Sequence, residues 1–177
     1  MSPLNLSIAL SLLLCGSNSK SEQFFSPSFT PSEINRTTAT LSFTNQRVTY
    51  RTYSNARYRF STAYPVGIFI PQGESDNGDG QKFASKNGNA TLLAFGSNRL
   101  DRSLRDEFQT AQENRSVTYK VLKRDMFVVS GTENGKIFYQ KTLLRGDSFK
   151  TFIIEYHEHE RAVFDPITSR IAHSFAG

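Results

Sequence analysis

Between Tyr58 and Phe95 short apolar runs are separated by dense turn signals, and the rest of the chain is arranged around this stretch. Tyr58, Phe60 and Thr62 alternate with Arg59 and Ser61, Ile68 and Ile70 flank Phe69, and Thr91, Leu92, Leu93, Ala94 and Phe95 form a third run. Each run has strand length and the aromatic or β-branched content that suits a pleated, half-buried surface, so each predicts a strand. Between them lie Pro65, Pro71 and the polar stretch Gln72 to Gln81, where Asn77-Gly78 and Asp79-Gly80 supply residues that tolerate positive φ. Upstream, Val48, Tyr50 and Thr52 share one side of a short predicted strand ending at Tyr53, after which Ser54-Asn55-Ala56 turns the chain.

After Phe95 the period changes. Leu100, Leu104, Phe108 and Ala111 recur every three or four residues, which predicts an amphipathic helix with Asn98 as N-cap, Asp101 three residues on, and an end near Asn114. From Val117 the period returns to two through VTYKVL, MFVVSG, KIFYQKTLL and FKTFIIEYH. The joints are Lys123-Arg124-Asp125, Thr132-Glu133-Asn134-Gly135 and Arg145-Gly146-Asp147, so an antiparallel meander is predicted, with Asn134-Gly135 its strongest hairpin signal. Asp165-Pro166 then predicts a helix start. Phe164, Ile167, Ile171 and Phe175 make an apolar stripe expected to pack on inward residues of the meander such as Phe138, Leu143 or Ile153. The pattern as a whole predicts an α+β fold, a central antiparallel sheet covered by helices.

A length of 177 residues with 37% apolar and 21% charged content fits one soluble α+β domain, residues 46–177, preceded by a polar linker, residues 16–45, and a signal segment, residues 1–15. The linker is rich in Ser, Thr, Asn and Pro and has no hydrophobic period. The net charge of +5 does not predict nucleic-acid binding, because the 21 basic residues are scattered and nowhere run longer than two. The uncharged apolar run from Leu4 to Leu14 has the length of a signal-peptide core and is too short to span a bilayer. It ends directly before Cys15, the only cysteine, where a bacterial lipoprotein carries its acylated residue. Leu14 is bulkier than the small residue expected there, and no Lys or Arg precedes the run. Lipidation of Cys15, simple secretion and an unprocessed chain therefore stand as alternatives. A lone cysteine also leaves no intramolecular disulfide to hold the fold.

Candidate chemistry is sparse. His157 and His159 in YHEHER could offer two imidazoles to a metal with Glu158 or Glu160 nearby, but two ligands fall short of a site, and the third histidine, His173, belongs to the terminal helix. The loop carrying Glu74, Asp76, Asn77 and Asp79 resembles a calcium loop in composition only. With Gly80 at the glycine position, Ser75 comes first and Lys86 stands where a bidentate carboxylate is required. Arg145-Gly146-Asp147 spells an integrin-type tripeptide in a place where a tight turn wants glycine and aspartate anyway. The sequons at Asn35, Asn89 and Asn114 matter only in a eukaryotic secretory pathway, and no Gly-x-Ser-x-Gly elbow accompanies the many serines. No catalytic, cofactor-binding or metal-binding residue is assigned.

The strings YPVGIFIPQGESDNGDGQKF, VVSG, FYQKTLL and DPITSRIAHSF resemble a group of small uncharacterised bacterial exported proteins, several with lipoprotein signals. The order of elements is similar to the PsbP-like fold of the extrinsic oxygen-evolving subunits: an early strand running into Tyr-Pro, a middle helix, a meander and a last helix. The resemblance implies an α/β/α sandwich and a non-enzymatic accessory or binding role in the periplasm or cell envelope, with no cofactor and membrane attachment through a lipid anchor alone. It implies no photosystem role, because no residue here matches a functional motif that would carry one. A periplasmic metal-handling protein and an enzyme of unrecognised type are the competing expectations. The protein or small-molecule partner and the oligomeric state are left open.

Mass spectrometry of the mature amino terminus tests the anchor: the expected species begins at Cys15 with added acyl mass, and Cys15→Ser is expected to leave the membrane fraction. An unmodified Met1, or cleavage well beyond Cys15 without lipid, contradicts it.

Overall fold

The computed structural model describes residues 48–177. Strands β1 (Tyr50–Asn55) and β2 (Phe60–Pro65) form a hairpin of their own. Strands β3 (Phe69–Glu74), β4 (Gly80–Ser85), β5 (Ala90–Asn98), β6 (Ser116–Leu122), β7 (Met126–Glu133), β8 (Lys136–Arg145) and β9 (Ser148–His157) form one antiparallel sheet in the order β3-β4-β5-β9-β8-β7-β6. Helix α1 (Leu104–Thr110) falls between β5 and β6, and α2 (Arg161–Ser174) follows β9.

The meander is as the alternating runs predict. Asn134 and Gly135 both take positive φ, 51° and 75°, the geometry a two-residue hairpin turn needs to match strand twist. Gly146 at φ 58° serves the β8–β9 turn in the same way, so Arg145-Gly146-Asp147 is a hairpin tip.

Strand β4 has no counterpart in the sequence reading. Of the residues it turns inward only Phe83 is large, and it is fully buried, so the alternation of Gly80 to Ser85 is faint. The predicted loop Gln72 to Gln81 therefore shrinks to Ser75–Asp79, with β3 and β4 taking its ends. Likewise β1 runs through Ser54 and Asn55, the turn falls at residues 56–59, and Tyr58 lies outside β2. In β1 the half-buried Tyr53 and the buried Asn55 accompany the core, while Val48 and Thr52 are exposed.

Because side chains alternate across a strand, the two faces of the sheet bury separate clusters. One gathers Phe83, Leu92, Ala94, Ile137, Leu143, Phe152, Ile154 and Tyr156 under α2 and the β1–β2 hairpin. The other gathers Phe127, Val129, Phe138 and Phe149 under Leu104 and Ala111 of the α1 segment. Of the three residues expected beneath the terminal helix, only Leu143 lies there. Phe138 points to the opposite cluster, and Ile153 pairs between Leu93 and Gln140 on that same face.

Both helix starts depart from expectation. The structure caps α1 with Ser103: its Oγ accepts from the Asp106 amide at 3.2 Å, and Asp106 Oδ2 accepts from the Ser103 amide at 2.7 Å. Asn98, the expected cap, is the last residue of β5, and Leu100 is 82% exposed at φ 49°, off the apolar stripe. Helix α2 begins at Arg161, after a 3-10 turn at Glu158–Glu160, so Pro166 sits inside it. Asp165 does not cap because its carboxylate is used elsewhere, accepting from Tyr156 Oη at 2.5 Å and approaching Arg161 Nε at 3.5 Å. Proline costs the helix the bond to the Ala162 carbonyl, and Ala162 is exposed to solvent.

The stripe itself is as predicted. Phe164, Ile167, Ile171 and Phe175 are buried, with Phe164 against Phe69 and Tyr156 and Phe175 against Phe60 and Phe152. The chain end is tied down by Ser61 and Ala176, whose amides and carbonyls exchange bonds of 2.9 and 3.1 Å. Gly96 makes room for the hairpin: a Cβ there would lie 2.1 Å from Tyr58 Cγ, so the tyrosine ring rests directly on the β5 backbone.

Ile171 is fully buried, and truncation to alanine is expected to cost about 2 to 5 kcal/mol, read as a lower urea midpoint. Arg170, whose guanidinium lies 4.4 Å from the Tyr50 ring centroid, is expected to cost only about 0.5 to 1 kcal/mol on truncation. Equal midpoints for Ile171→Ala and the parent would mean that α2 is not docked.

Candidate functional site

Helix α1 is short, and it covers only the β7–β9 part of its face. Reading the register across the remainder gives one row of Lys82, Leu93, Ile153 and Gln140, and a second of Ile70, Ala84, Thr91, Glu155 and Phe138. Leu93 is 38% exposed and Ile70 45%. Central strand positions on a covered face would be buried, so this half-face is open among the described residues. A shallow depression of about 230 Å³ is lined by Lys82, Thr91, Leu93, Ile153 and Glu155.

Glu155 also borders a more polar depression of about 340 Å³ that contains Arg115, Glu133, Lys136 and Phe138. Here Arg115 is fixed on three sides. Its Nε pairs with Glu133 Oε2 at 2.9 Å, its guanidinium lies 4.6 Å from the Phe138 ring centroid, and Nη1 donates to Gln140 Oε1 at 3.4 Å. Gln140 in turn donates to Thr142 at 3.4 Å, and the hydroxyls of Thr142 and Thr151 are 2.9 Å apart, so these three buried side chains on the α1 face have partners. The result is an exposed apolar area at Leu93 and Ile153 with Lys82 and Glu155 beside it and the fixed Arg115–Glu133 pair close by, an arrangement suited to docking.

On the opposite face a groove of about 340 Å³ runs between α2 and strands β7 and β8, past Tyr139, Tyr156, Arg161, Asp165, Thr168 and His173. Burial and the bond to Asp165 push the Tyr156 hydroxyl far above the ordinary tyrosine range, so it stays protonated and donating. Lys141 Nζ donates to the Ala172 carbonyl at 2.6 Å, and burial, then Arg145, hold its ammonium below the usual lysine range. These contacts pin α2 to the sheet.

The residues singled out from sequence are distributed as follows. Cys15 lies outside the described residues. His157 closes β9, His159 lies in the 3-10 turn, and their rings stack at 5.5 Å. His173 sits on α2, where its Nδ1 is 2.7 Å from the Ser169 carbonyl oxygen. Glu160, the carboxylate nearest His159, accepts instead from Asn89 at 2.7 Å and Asn87 at 3.2 Å. In the loop, Glu74 accepts from Tyr53 at 2.7 Å, while Asp79 takes Ser75 at 2.5 Å and Asn77 at 2.8 Å. The bonds from Ser75 and Asn77 hold the Asp79 carboxyl below its usual range, so its oxygens are spent on the turn. Among the described residues no three His, Cys, Asp or Glu side chains converge as a metal site. The open half-face was missed in sequence because Leu93 and Ile153 look like core residues; the available signal was the shortness of the α1 pattern against the width of the sheet.

No family model matches the chain, and no curated protein matches it in sequence. Among solved structures it is similar to the solution structure of cyanobacterial PsbP (CyanoP) from Synechocystis sp. PCC 6803, with a TM-score of 0.54 at 13% identity over 75% of this chain and 95% of that one. At that identity the likeness concerns the fold, a PsbP-like α+β arrangement.

Zinc, copper or calcium is expected to leave the melting temperature unchanged. A metal bound only by the native state at a hundred times its Kd would add about 2.7 kcal/mol. An upward shift abolished by pairing His157→Ala with His159→Ala, or Asp76→Ala with Asp79→Ala, would make one of these clusters a site.

Proposed function

We propose that this protein is a non-enzymatic accessory or binding protein of the bacterial cell envelope. In this reading residues 46–177 form a single α/β/α sandwich, residues 16–45 are a polar linker, and Cys15 is the point of lipid attachment. The likeness to CyanoP supports the fold assignment, and the apolar run before Cys15 supports export. The observation that carries the functional reading is the open half-face. Ile70, Leu93 and Ile153 share a sheet surface with Lys82, which pairs with Leu93, and Glu155 on the middle strand β9, a mixture of exposed apolar and charged side chains through which proteins dock. Its occupant is a second protein that offers an apolar patch with its own paired charges.

Photo-crosslinking residues placed at Leu93 and Ile70 in envelope preparations test the reading. The expected result is the same single partner from both positions, lost when Ile153→Asp is added, and none from the exposed loop position Leu100. Equal capture at Leu100, no adduct at either site, or an adduct within the chain to residues 1–47 would overturn it.

A further inference from the structure

Four of the basic residues that look scattered in sequence meet at one end of the fold. The tip of the β1–β2 hairpin supplies Arg57 and Arg59, the end of β8 supplies Arg145, and the start of β9 supplies Lys150. Together with Tyr58, Asn98, Asp147 and Ser148 they line an open depression of about 450 Å³, where Asp147 is the acidic lining residue and Asp125 pairs with Arg145.

Lys150 is the unusual member. It pairs in register between Leu143 and Gly96, on the face that carries the aromatic core, and is only 6% exposed. Gly177 packs along its stem, and among the described residues no acidic side chain reaches it. The stem is buried along the sheet while the ammonium reaches the open depression, which leaves it available to an anion. Burial first, then Arg145 and Arg59, hold its pKa below the ordinary lysine range, which an incoming anion would reverse.

The arginines differ in how far they are committed. Arg145 Nη1 is engaged by Asp125 Oδ2 at 2.6 Å and its Nε by the Gly177 carbonyl at 3.1 Å. Arg57 donates to the Asn77 carbonyl and lies 5.3 Å from the Tyr58 ring centroid. Arg59 makes no hydrogen bond or ion pair among the described residues, and it is held at φ 52°, a left-handed conformation that costs an arginine where a glycine would sit freely. An available guanidinium in a disfavoured backbone conformation, lining the same depression as the Lys150 ammonium, is an anion-recognition geometry.

We infer that this depression binds the phosphate group of a small organic phosphate or of an anionic lipid head group, with Lys150 and Arg59 as the principal contacts and Arg57 and Arg145 completing the field. The inference is independent of the open half-face, which lies on the other side of the sheet.

Glycerol 3-phosphate titrated by calorimetry at low salt, and vesicles of phosphatidylcholine with or without phosphatidylglycerol, test it with the full chain in a Cys15→Ser background, so that no acyl chain holds the protein to the bilayer. One-to-one binding of glycerol 3-phosphate is expected, weakened about tenfold or more by Arg59→Gly and by Lys150→Gln, as loss of a charge-assisted hydrogen bond predicts. Arg105→Gln, on α1, is expected to change nothing. Should Lys150→Gln fail to fold, Arg59→Gly still decides, since glycine suits that φ and the variant is expected to be as stable as the parent. Binding confined to phosphatidylglycerol vesicles, with the same dependence on Arg59, supports the site and assigns its source to lipid. Absence of binding to either probe, or an equal loss from Arg105→Gln, overturns the inference.

Discussion

The pairing of β5 with β9 is the constraint on which the rest depends. Each half of the sheet is a meander closed by short turns, β3-β4-β5 on one side and β6-β7-β8-β9 on the other, and only the second could be written down whole from local signals. Neither half alone makes a core. The nine-pair ladder from Ala90 and Tyr156 to Asn98 and Ser148 unites them, and it brings Leu92 and Ala94 beside Phe152 and Ile154 in the cluster that α2 covers. Because α1 and three strands intervene between the paired segments, this ladder carries the largest loop-closure cost of any strand pairing in the sheet, and folding should wait on it.

Once the sheet is closed, its two faces are treated unequally. The α2 face receives a hairpin and a helix of fourteen residues and buries a stack of aromatic rings. The α1 face receives a helix of seven, which leaves its cluster at Phe127, Val129, Phe138 and Phe149 on β7 to β9. That asymmetry leaves Leu93 and Ile153 facing outward on central strands. The same closure gathers the cations, since Lys150 is carried to the hairpin tip by its pairing with Gly96, and Gly96 lets Tyr58 and its arginine neighbours settle on the strand.

What could be read from sequence was what local physics decides. Asn134-Gly135, the meander's alternation and the stripe from Phe164 to Phe175 were legible because turn geometry and periodicity need no tertiary partner. The start of α1 was misplaced because Asn98 and Asp101 imitate a capping box, while Ser103 and Asp106 form it; only the extension of β5 through Asn98 distinguishes them. Asp165-Pro166 misled in the same manner, since an aspartate engaged by Tyr156 cannot cap. Which face Phe138 and Ile153 would take was not available from alternation, which fixes relative sides and not which side a later helix covers. The basic depression was invisible for a simpler reason: its residues come from two turns far apart in the chain.

The two outer strands bear on how the protein behaves when crowded. On β3, Pro71 removes a backbone donor and the register shifts before Glu74, with Gly73 at φ 91°. On β6 the register shifts again between Val117 and Tyr119, and Lys120 follows. Both borders of the sheet are thus interrupted where another strand would add itself. A population confined to a membrane plane by Cys15 would meet its own copies at high local concentration. Sheet borders broken in this way would let such neighbours collide without joining into a growing ribbon, so that dense surface display and solubility remain compatible.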